Sequence, residues 1–188
     1  FNAYSFLPTA PVVKPRKRDP EPEPEPEPEE EDNEIPELLS GPPSDASVLI
    51  TIMDRYNEYR GFISEEGECY NNRGQLLGYI NIEDGTAGSA GEEYLGCALD
   101  QISGNEVVVE DALDETCGTI DLGHGSIMNN QGSTIAEFSR QGIVTGNNGS
   151  QLGQFEGFDF GQLRVMALYL MLLDPGFLND NVESPYEE

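Results

Sequence analysis

The hydrophobic and polar positions of this chain repeat in a frame of fourteen residues. Two stretches show it most clearly, "YNNRGQLLGYI" from Tyr70 and "MNNQGSTIAEF" from Met128. Six copies of the frame align, beginning at Ile50, Gly67, Gly85, Val107, Gly125 and Gly142. The third position of the copies is always apolar: Ile52, Cys69, Ala87, Val109, Ile127 and Val144. The last position is apolar too: Ile63, Ile80, Ala98, Ile120, Phe138 and Phe155. Such internal periodicity indicates a repeat architecture.

Two further positions of the frame predict its local structure. The fifth position holds turn formers: Asp54, Asn71, Ser89, Asp111, Asn129 and Gly146. An Asn or Asp that begins a tight turn accepts a backbone hydrogen bond, and a glycine three residues later supplies positive φ. Each copy is therefore expected to be two short strands joined by a type I turn with a glycine bulge. The twelfth position is always small, which predicts close approach of another backbone or a large side chain: Gly61, Gly78, Gly96, Gly118, Ala136 and Gly153.

These units predict an all-β repeat array over residues 44–157, with about six two-strand units. Two arrangements satisfy the pattern, a meander of hairpins or a β-solenoid with one coil for each unit. The bulge-type turns favour the meander.

Residues 158–178 are predicted to form one apolar helix. Asp159 followed by Gln162 is a capping-box pattern, and Pro175 and Gly176 end the helical stretch. Almost no polar face remains between these ends, so most sides of the helix must be buried. The stretch is too short to span a bilayer. We expect it to cap the open edge of the last repeat; the alternative is a docking helix that a partner covers.

Residues 1–43 are predicted to form an extended arm. Its run "DPEPEPEPEPEEEDNE" alternates proline with glutamate, which favours a polyproline-like conformation. At the other end of the chain, residues 179–188 are predicted to be a second acidic tail. Before the proline–glutamate run, "KPRKR" holds four of the nine basic residues. It is interpreted as local charge balance, a nuclear-localisation-like patch, or a contact for an acidic partner such as a tubulin tail. The predicted partner-binding residues are an aromatic cluster and this basic stretch: Phe1, Tyr4, Phe6, Lys14, Arg16, Lys17 and Arg18.

Charge and cysteine content limit the function classes. A formal net charge of −27 argues against binding to nucleic acid or an anionic membrane, because both present phosphates. The three cysteines have no CxxC spacing and apolar surroundings, which favours reduced thiols in a cytoplasmic protein.

Motifs for catalysis or for cofactor binding are weak. The one histidine, His124, has no second imidazole or suitably spaced thiol with which to bind a metal. Cys117 with His124 imitates a nucleophile–base pair, but Cys117 occupies a position that Leu or Ile fills in other copies. The glycine-rich stretch of residues 85–91 lacks the lysine of a phosphate-binding loop and precedes Glu92 and Glu93. We therefore expect no cofactor, no metal and no enzymatic activity.

The glycine-punctuated units over residues 50–155 resemble the short β-repeat arrays of eukaryotic scaffold proteins. They are similar in style to MORN repeats, without the Tyr-x-Gly signature or the longer period of that family. Together with the acidic, proline-rich arm, they resemble accessory proteins of the ciliary axoneme. This resemblance implies a non-enzymatic structural protein that ties together a larger cytoskeletal complex in a cilium or flagellum, with tubulin or axonemal subunits as partners.

Two alternatives come from other classes. An acidic histone or nuclear chaperone is favoured by the charge of the arm and by "KPRKR". A β-solenoid protein that acts on carbohydrate or binds calcium requires acidic residues at the same position of successive repeats. Glu68, Glu106 and Glu110 do not share a position, which weighs against it.

Overall fold

The computed structural model describes residues 36–100, 105–121 and 123–179. The predicted partner-binding residues of the arm and the predicted tail after Asn179 lie outside these residues. Among the described residues, no helix has both the length and the apolar character that crossing a membrane requires.

Within the part of the chain that the structure describes, twelve antiparallel strands form one sheet in which every strand pairs with its neighbours in sequence. Strand β1 also pairs with β12, where Ile52 lies opposite Phe155, so the sheet closes into a barrel. The strands are β1 Val48–Asp54, β2 Tyr59–Ser64, β3 Glu68–Asn71, β4 Leu76–Asn81, β5 Thr86–Ser89, β6 Tyr94–Asp100, β7 Glu106–Asp111, β8 Thr116–Asp121, β9 Ser126–Asn129, β10 Thr134–Phe138, β11 Ile143–Gly146 and β12 Gln151–Glu156.

The six sequence units are the six hairpins of this barrel. Within a hairpin the third position pairs with the twelfth, as Cys69 does with Gly78. Between hairpins the last position pairs with the third position of the next unit, as Ile63 does with Cys69. The prediction of two-strand units in a meander is thereby confirmed. The solenoid arrangement is wrong, because each strand bonds to a sequence neighbour on either side within one closed sheet.

The predicted turn with a glycine bulge is confirmed in the β3–β4 hairpin. The Gly74 amide donates to the Asn71 carbonyl at 3.0 Å, and Gly74 has a φ of 71°. The Asn71 side-chain oxygen accepts hydrogen bonds from the amides of Arg73 and Gln75 at 2.9 and 3.0 Å. Positive φ recurs at the eighth position of every unit: Asn57, Gly74, Glu92, Asp114, Gly132 and Gly149.

The apolar C-terminal stretch forms a continuous helical segment that we call the plug helix, residues 160–173. It consists of a 3-10 turn at Phe160–Gln162, an α-helix α1 at Leu163–Leu168 and a π-helical stretch at Tyr169–Leu173. A short helix α2, Gly176–Asn179, follows. The predicted capping box is present, since the Asp159 amide donates to Gln162 Oε1 at 2.9 Å.

The plug helix lies in the lumen of the barrel. The six consecutive residues 165–170 are each at most 1 % exposed, so every side of the helix is covered. The helix packs against strands β4 to β8. The expectation that it caps an open edge is wrong, because pairing of β1 with β12 leaves this sheet without one. Barrel diameter grows with strand number, so twelve strands leave a space that side chains alone do not fill.

The small twelfth position faces this helical filling, as the sequence predicted. A Cβ at Gly78 would lie 2.7 Å from Leu173 Cδ2, and one at Gly118 would lie 2.8 Å from Met171 Cε. At Gly153 the near neighbour is Phe177 of α2, at 2.6 Å. These glycines let the strands approach the side chains that fill the barrel.

Candidate interaction surface

The base of the N-terminal arm lies on the outer wall of the barrel. The Leu39 amide donates to the Asn72 carbonyl at 2.7 Å, next to the β3–β4 turn. A groove of about 410 Å³ is lined by Pro43 and Ala46 of this segment and by Phe62 and Tyr70 of the wall. The rings of Phe62 and Tyr70 stack with their centroids 5.0 Å apart.

A second depression on the outer wall is formed by two tyrosines and a glycine, and we call it the tyrosine slot: Tyr79, Gly88 and Tyr94. Tyr79 pairs with Gly88 across β4 and β5, and Gly88 pairs with Tyr94 across β5 and β6. The three residues therefore form one row across three strands on the same face. The slot has a volume of about 330 Å³, and Glu92 lies at its edge.

The gap at Gly88 is specific to the third hairpin. Gly88 occupies the fourth position of its unit, and every other unit has a side chain there: Met53, Tyr70, Glu110, Met128 and Thr145. In the second unit, for example, the ring of Tyr70 fills the equivalent place beside Phe62. The missing side chain at this position is visible in the sequence, but a single fourteen-residue unit does not show that it lies between two tyrosines.

One end of the barrel, which we call the hairpin-turn end, carries the turns within the six hairpins. A polar cluster at this end holds the C-terminal end of the plug helix. Arg60 donates to Asp174 through Nε at 2.7 Å and through Nη2 at 2.8 Å. The Tyr169 hydroxyl donates to Asp174 Oδ2 at 3.1 Å. Burial is the largest cause that raises the pKa of Tyr169, so its hydroxyl stays protonated and acts as a donor.

Sequence reasoning missed this cluster, although Arg60 is an exception at its position. The eleventh position is apolar in the other five units: Leu77, Leu95, Cys117, Ile135 and Leu152. A lone arginine at an apolar position indicates a buried acidic partner, which Asp174 provides. At the opposite end of the barrel, Arg164 of α1 pairs with Asp100 in the same manner.

His124 lies beside Asp121 in the loop between β8 and β9. Its Nδ1 is 2.5 Å from Asp121 Oδ2, and its side chain is 85 % exposed. The hydrogen bond to Asp121 raises the pKa of His124. This pair is a loop contact at the surface.

The three cysteines are unbridged. Burial raises the pKa of Cys69 to about 12, so its thiol is not ionised near neutral pH. Cys117 is the second residue of β8, Thr116–Asp121, and His124 lies three residues after its end, so the two lie at opposite ends of the strand rather than together. No group of three or more metal-ligating side chains occurs among residues that the structure describes. The glycine-rich residues 85–91 form β5 and its hairpin turn.

No protein-family model, curated protein or solved structure matches this chain.

Proposed function

We propose that this protein is a non-enzymatic structural protein that docks into a larger cytoskeletal assembly through the outer wall of its barrel and its N-terminal arm. The ciliary axoneme is the assembly that we propose as its setting. The observation that supports this role is the plug helix in the lumen, with residues 165–170 almost completely buried. A barrel interior that is occupied by its own chain leaves the outer wall and the two ends for contacts with other molecules.

The charge distribution supports docking through separate regions. The described residues carry five arginines, of which Arg60 and Arg164 are engaged with the aspartates at the two ends of the barrel. The wall is therefore predominantly acidic, whereas the basic stretch of the chain lies in the arm. Such an arrangement lets one protein contact partners of opposite charge at two places.

Affinity capture of the tagged full chain, compared with a variant lacking residues 1–35, tests the proposal. The described residues after position 35 form one compact unit, so the deletion leaves the barrel and its plug helix complete. We expect the full chain to enrich cytoskeletal proteins, identified by mass spectrometry, and the deletion variant to lose most of them.

A charge variant separates the contribution of the basic stretch from that of the aromatic cluster. Replacing Lys14, Arg16, Lys17 and Arg18 with glutamine should reduce the capture, as should replacing Phe1, Tyr4 and Phe6 with alanine. Enrichment of histones that moderate salt removes would contradict the proposal and support the chaperone alternative. An unchanged set of partners after the deletion would exclude the arm as a docking element.

A further inference from the structure

The tyrosine slot has the dimensions of a site for a proline ring. Tyr79 and Tyr94 are separated by strand β5, so their backbones are two strand spacings apart, about 10 Å. Side chains that project from the same face at this backbone separation leave space between them for one further layer of atoms. Gly88 provides the floor, because it has no side chain to occupy that layer.

The surroundings of the slot are acidic. Glu92 lines it, and Glu93 follows in the chain. A hydrogen bond with Cys97 is the largest of the causes that raise the pKa of Tyr94, and the negative charges of Asp114 and Glu110 add to it. Two tyrosines over a glycine, with carboxylates beside them, favour an extended peptide that combines prolines with basic residues.

The chain itself contains a peptide of this composition in the arm. Residues 8–18 read "PTAPVVKPRKR" and combine three prolines with four of the nine basic residues. Proline restricts the backbone to the extended conformation in which such peptides bind aromatic grooves, so little conformational entropy is lost on binding. The prolines of residues 20–28 alternate with glutamate, which the carboxylates at the slot would repel.

We propose that the tyrosine slot binds residues 8–18 of a second copy of this chain. Tyr79 and Tyr94 hold a proline ring over Gly88, and the basic residues that follow pair with the carboxylates beside the slot. The inference rests on the proposed function, because it names a partner for the arm and for the wall.

The length of the chain favours a second copy over the same copy. Residues 19–35 separate the peptide from Pro36, and the sequence predicts that the proline–glutamate run of residues 19–28 and the acidic residues after it stay extended, over up to about 50 Å at the polyproline rise. Leu39 is held at Asn72 in the β3–β4 turn, only three strand spacings from Tyr94, about 14 Å. Reaching the slot of the same barrel would require this stiff, self-repelling run to bend back on itself, which favours the slot of a second copy.

Contact between an arm and a slot joins two different surfaces, so copies can associate by reciprocal exchange of two arms, as a closed ring or as an open series. In each of these arrangements the arm of one copy occupies the slot of another. The full chain is therefore expected to associate in a concentration-dependent manner.

Sedimentation equilibrium of the full chain tests the proposal between about 1 µM and about 1 mM, a range that includes weak complexes. The weight-average mass should rise above the 20.6 kDa of the monomer as concentration increases. Gly88→Val should weaken the association about tenfold or more, because its side chain fills the slot. The backbone tolerates this change, since the nearest atom to a Cβ at Gly88 is the Glu93 carbonyl oxygen at 3.4 Å.

A control variant and a second test variant make the result specific. Thr145→Val alters the equivalent position of the sixth hairpin and should leave the association unchanged. Replacing Pro8, Pro11 and Pro15 with alanine leaves the barrel untouched and should weaken the association as Gly88→Val does. Equal masses for the unaltered chain, the Gly88→Val chain and the chain without the three prolines would overturn the proposal.

A photocrosslinking amino acid at position 94 identifies the occupant directly. The altered chain is mixed with an isotopically labelled unaltered chain, and we expect crosslinks to labelled residues 8–18. The same amino acid at Thr134, which has the equivalent position in the fifth hairpin, should give few such crosslinks. Crosslinks to other segments, or only within one chain, would overturn the proposal.

The outcomes separate this inference from the proposed function. A full chain that stays monomeric while it still captures cytoskeletal proteins through its arm would overturn the inference alone. Loss of that capture would instead overturn the proposed function.

Discussion

Glu92 holds a left-handed backbone conformation, with a φ of 63°, at the turn between β5 and β6. Three hairpins place glycine at this position, and two others place Asn57 and Asp114 there. The left-handed region costs roughly 1–2 kcal/mol for a residue with a Cβ, but Asn and Asp reduce that cost through local hydrogen bonds. The strain in the barrel turns is therefore greatest at Glu92.

Replacing Glu92 with glycine should stabilise the protein. We expect the free energy of unfolding to rise by about 0.5–1 kcal/mol, since relief of strain exceeds the entropy that glycine adds to the unfolded chain. Chemical denaturation measures this change. Glu93→Gly, at a neighbouring residue without positive φ, is the control and should lower stability; a loss of stability for Glu92→Gly would contradict the argument.

His124 makes stability depend on pH near neutrality. Its pKa is raised in the folded protein by the hydrogen bond to Asp121. A raised folded pKa means that the stabilisation is fully present below the unfolded pKa and is lost as pH rises through the folded pKa. We expect a higher denaturant midpoint at about pH 6 than at about pH 8. Because His124 is the one histidine of the chain, His124→Gln should remove most of the difference.

At the scale of elements, the glycines of the twelfth position set the distance between the strands and the helices that fill the barrel. A Cβ at Gly153 would lie 2.3 Å from the Met53 carbonyl oxygen and 2.6 Å from Phe177 Cζ. Both contacts are too short, and the first involves backbone that cannot rotate away. Position 153 therefore requires a small residue, because strand β12 packs closely against both β1 and α2 at this point.

Gly153→Ala should destabilise the protein by about 1–3 kcal/mol or more, the usual cost of overpacking a core. Thermal and chemical denaturation measure the loss. Gly88→Ala, on the outer face where 3.4 Å is available, serves as the matched control. A similar loss for both variants would show that the cost arises from strand conformation rather than from contact with Phe177.

Arg60 and Asp174 hold the end of the plug helix at the hairpin-turn end of the barrel. Their side chains are 24 % and 16 % exposed, so the pair is partly shielded from water. Removing Arg60 leaves Asp174 without its cationic partner, and this costs more than removing both charges together.

A double-mutant cycle tests this coupling. Arg60→Leu alone should lower the free energy of unfolding by about 1–3 kcal/mol. Arg60→Leu combined with Asp174→Asn should recover part of the loss, because leucine is the residue that other units place at this position. Strictly additive effects in denaturation experiments would show that the two side chains are not coupled.

At the scale of the whole molecule, the barrel and the plug helix form one hydrophobic core. Inward residues of the strands and the helical residues 165–170 belong to the same buried cluster. Unfolding of the helix would leave the apolar inner face of the barrel exposed to water, so we expect barrel and helix to unfold together.

Leu168→Ala should cost about 2–5 kcal/mol, because it opens a cavity in the lumen where the side chain is completely buried. Leu113, at a hairpin tip and 78 % exposed, provides the matched control; its replacement by alanine should change stability by about 0.5 kcal/mol or less. Circular dichroism of the helix and fluorescence of a probe on the wall should give coincident transitions. Separate transitions would contradict a common core.

The elements and the surface differ in how far the sequence predicts them. The hairpins were predicted from the turn formers and the small position, and the capping pair Asp159 and Gln162 was predicted from its spacing. The predicted docking residues of the arm lie outside the described residues and stay predictions. The tyrosine slot was not predicted, because no pattern within one unit reveals that Gly88 lies between tyrosines of two neighbouring strands.

The sequence by itself determined the local structure of this protein. Turn geometry depends on residues that are close in the chain, so Asn71 with Gly74 specifies a hairpin whatever surrounds it. Tertiary structure alone decided the closure of the sheet and the place of the plug helix. Pairing of Ile52 with Phe155 joins the two ends of the array, and each of these apolar residues would suit an open array equally well. An apolar helix requires burial but does not specify what covers it, and only the closed barrel provided a lumen of suitable width.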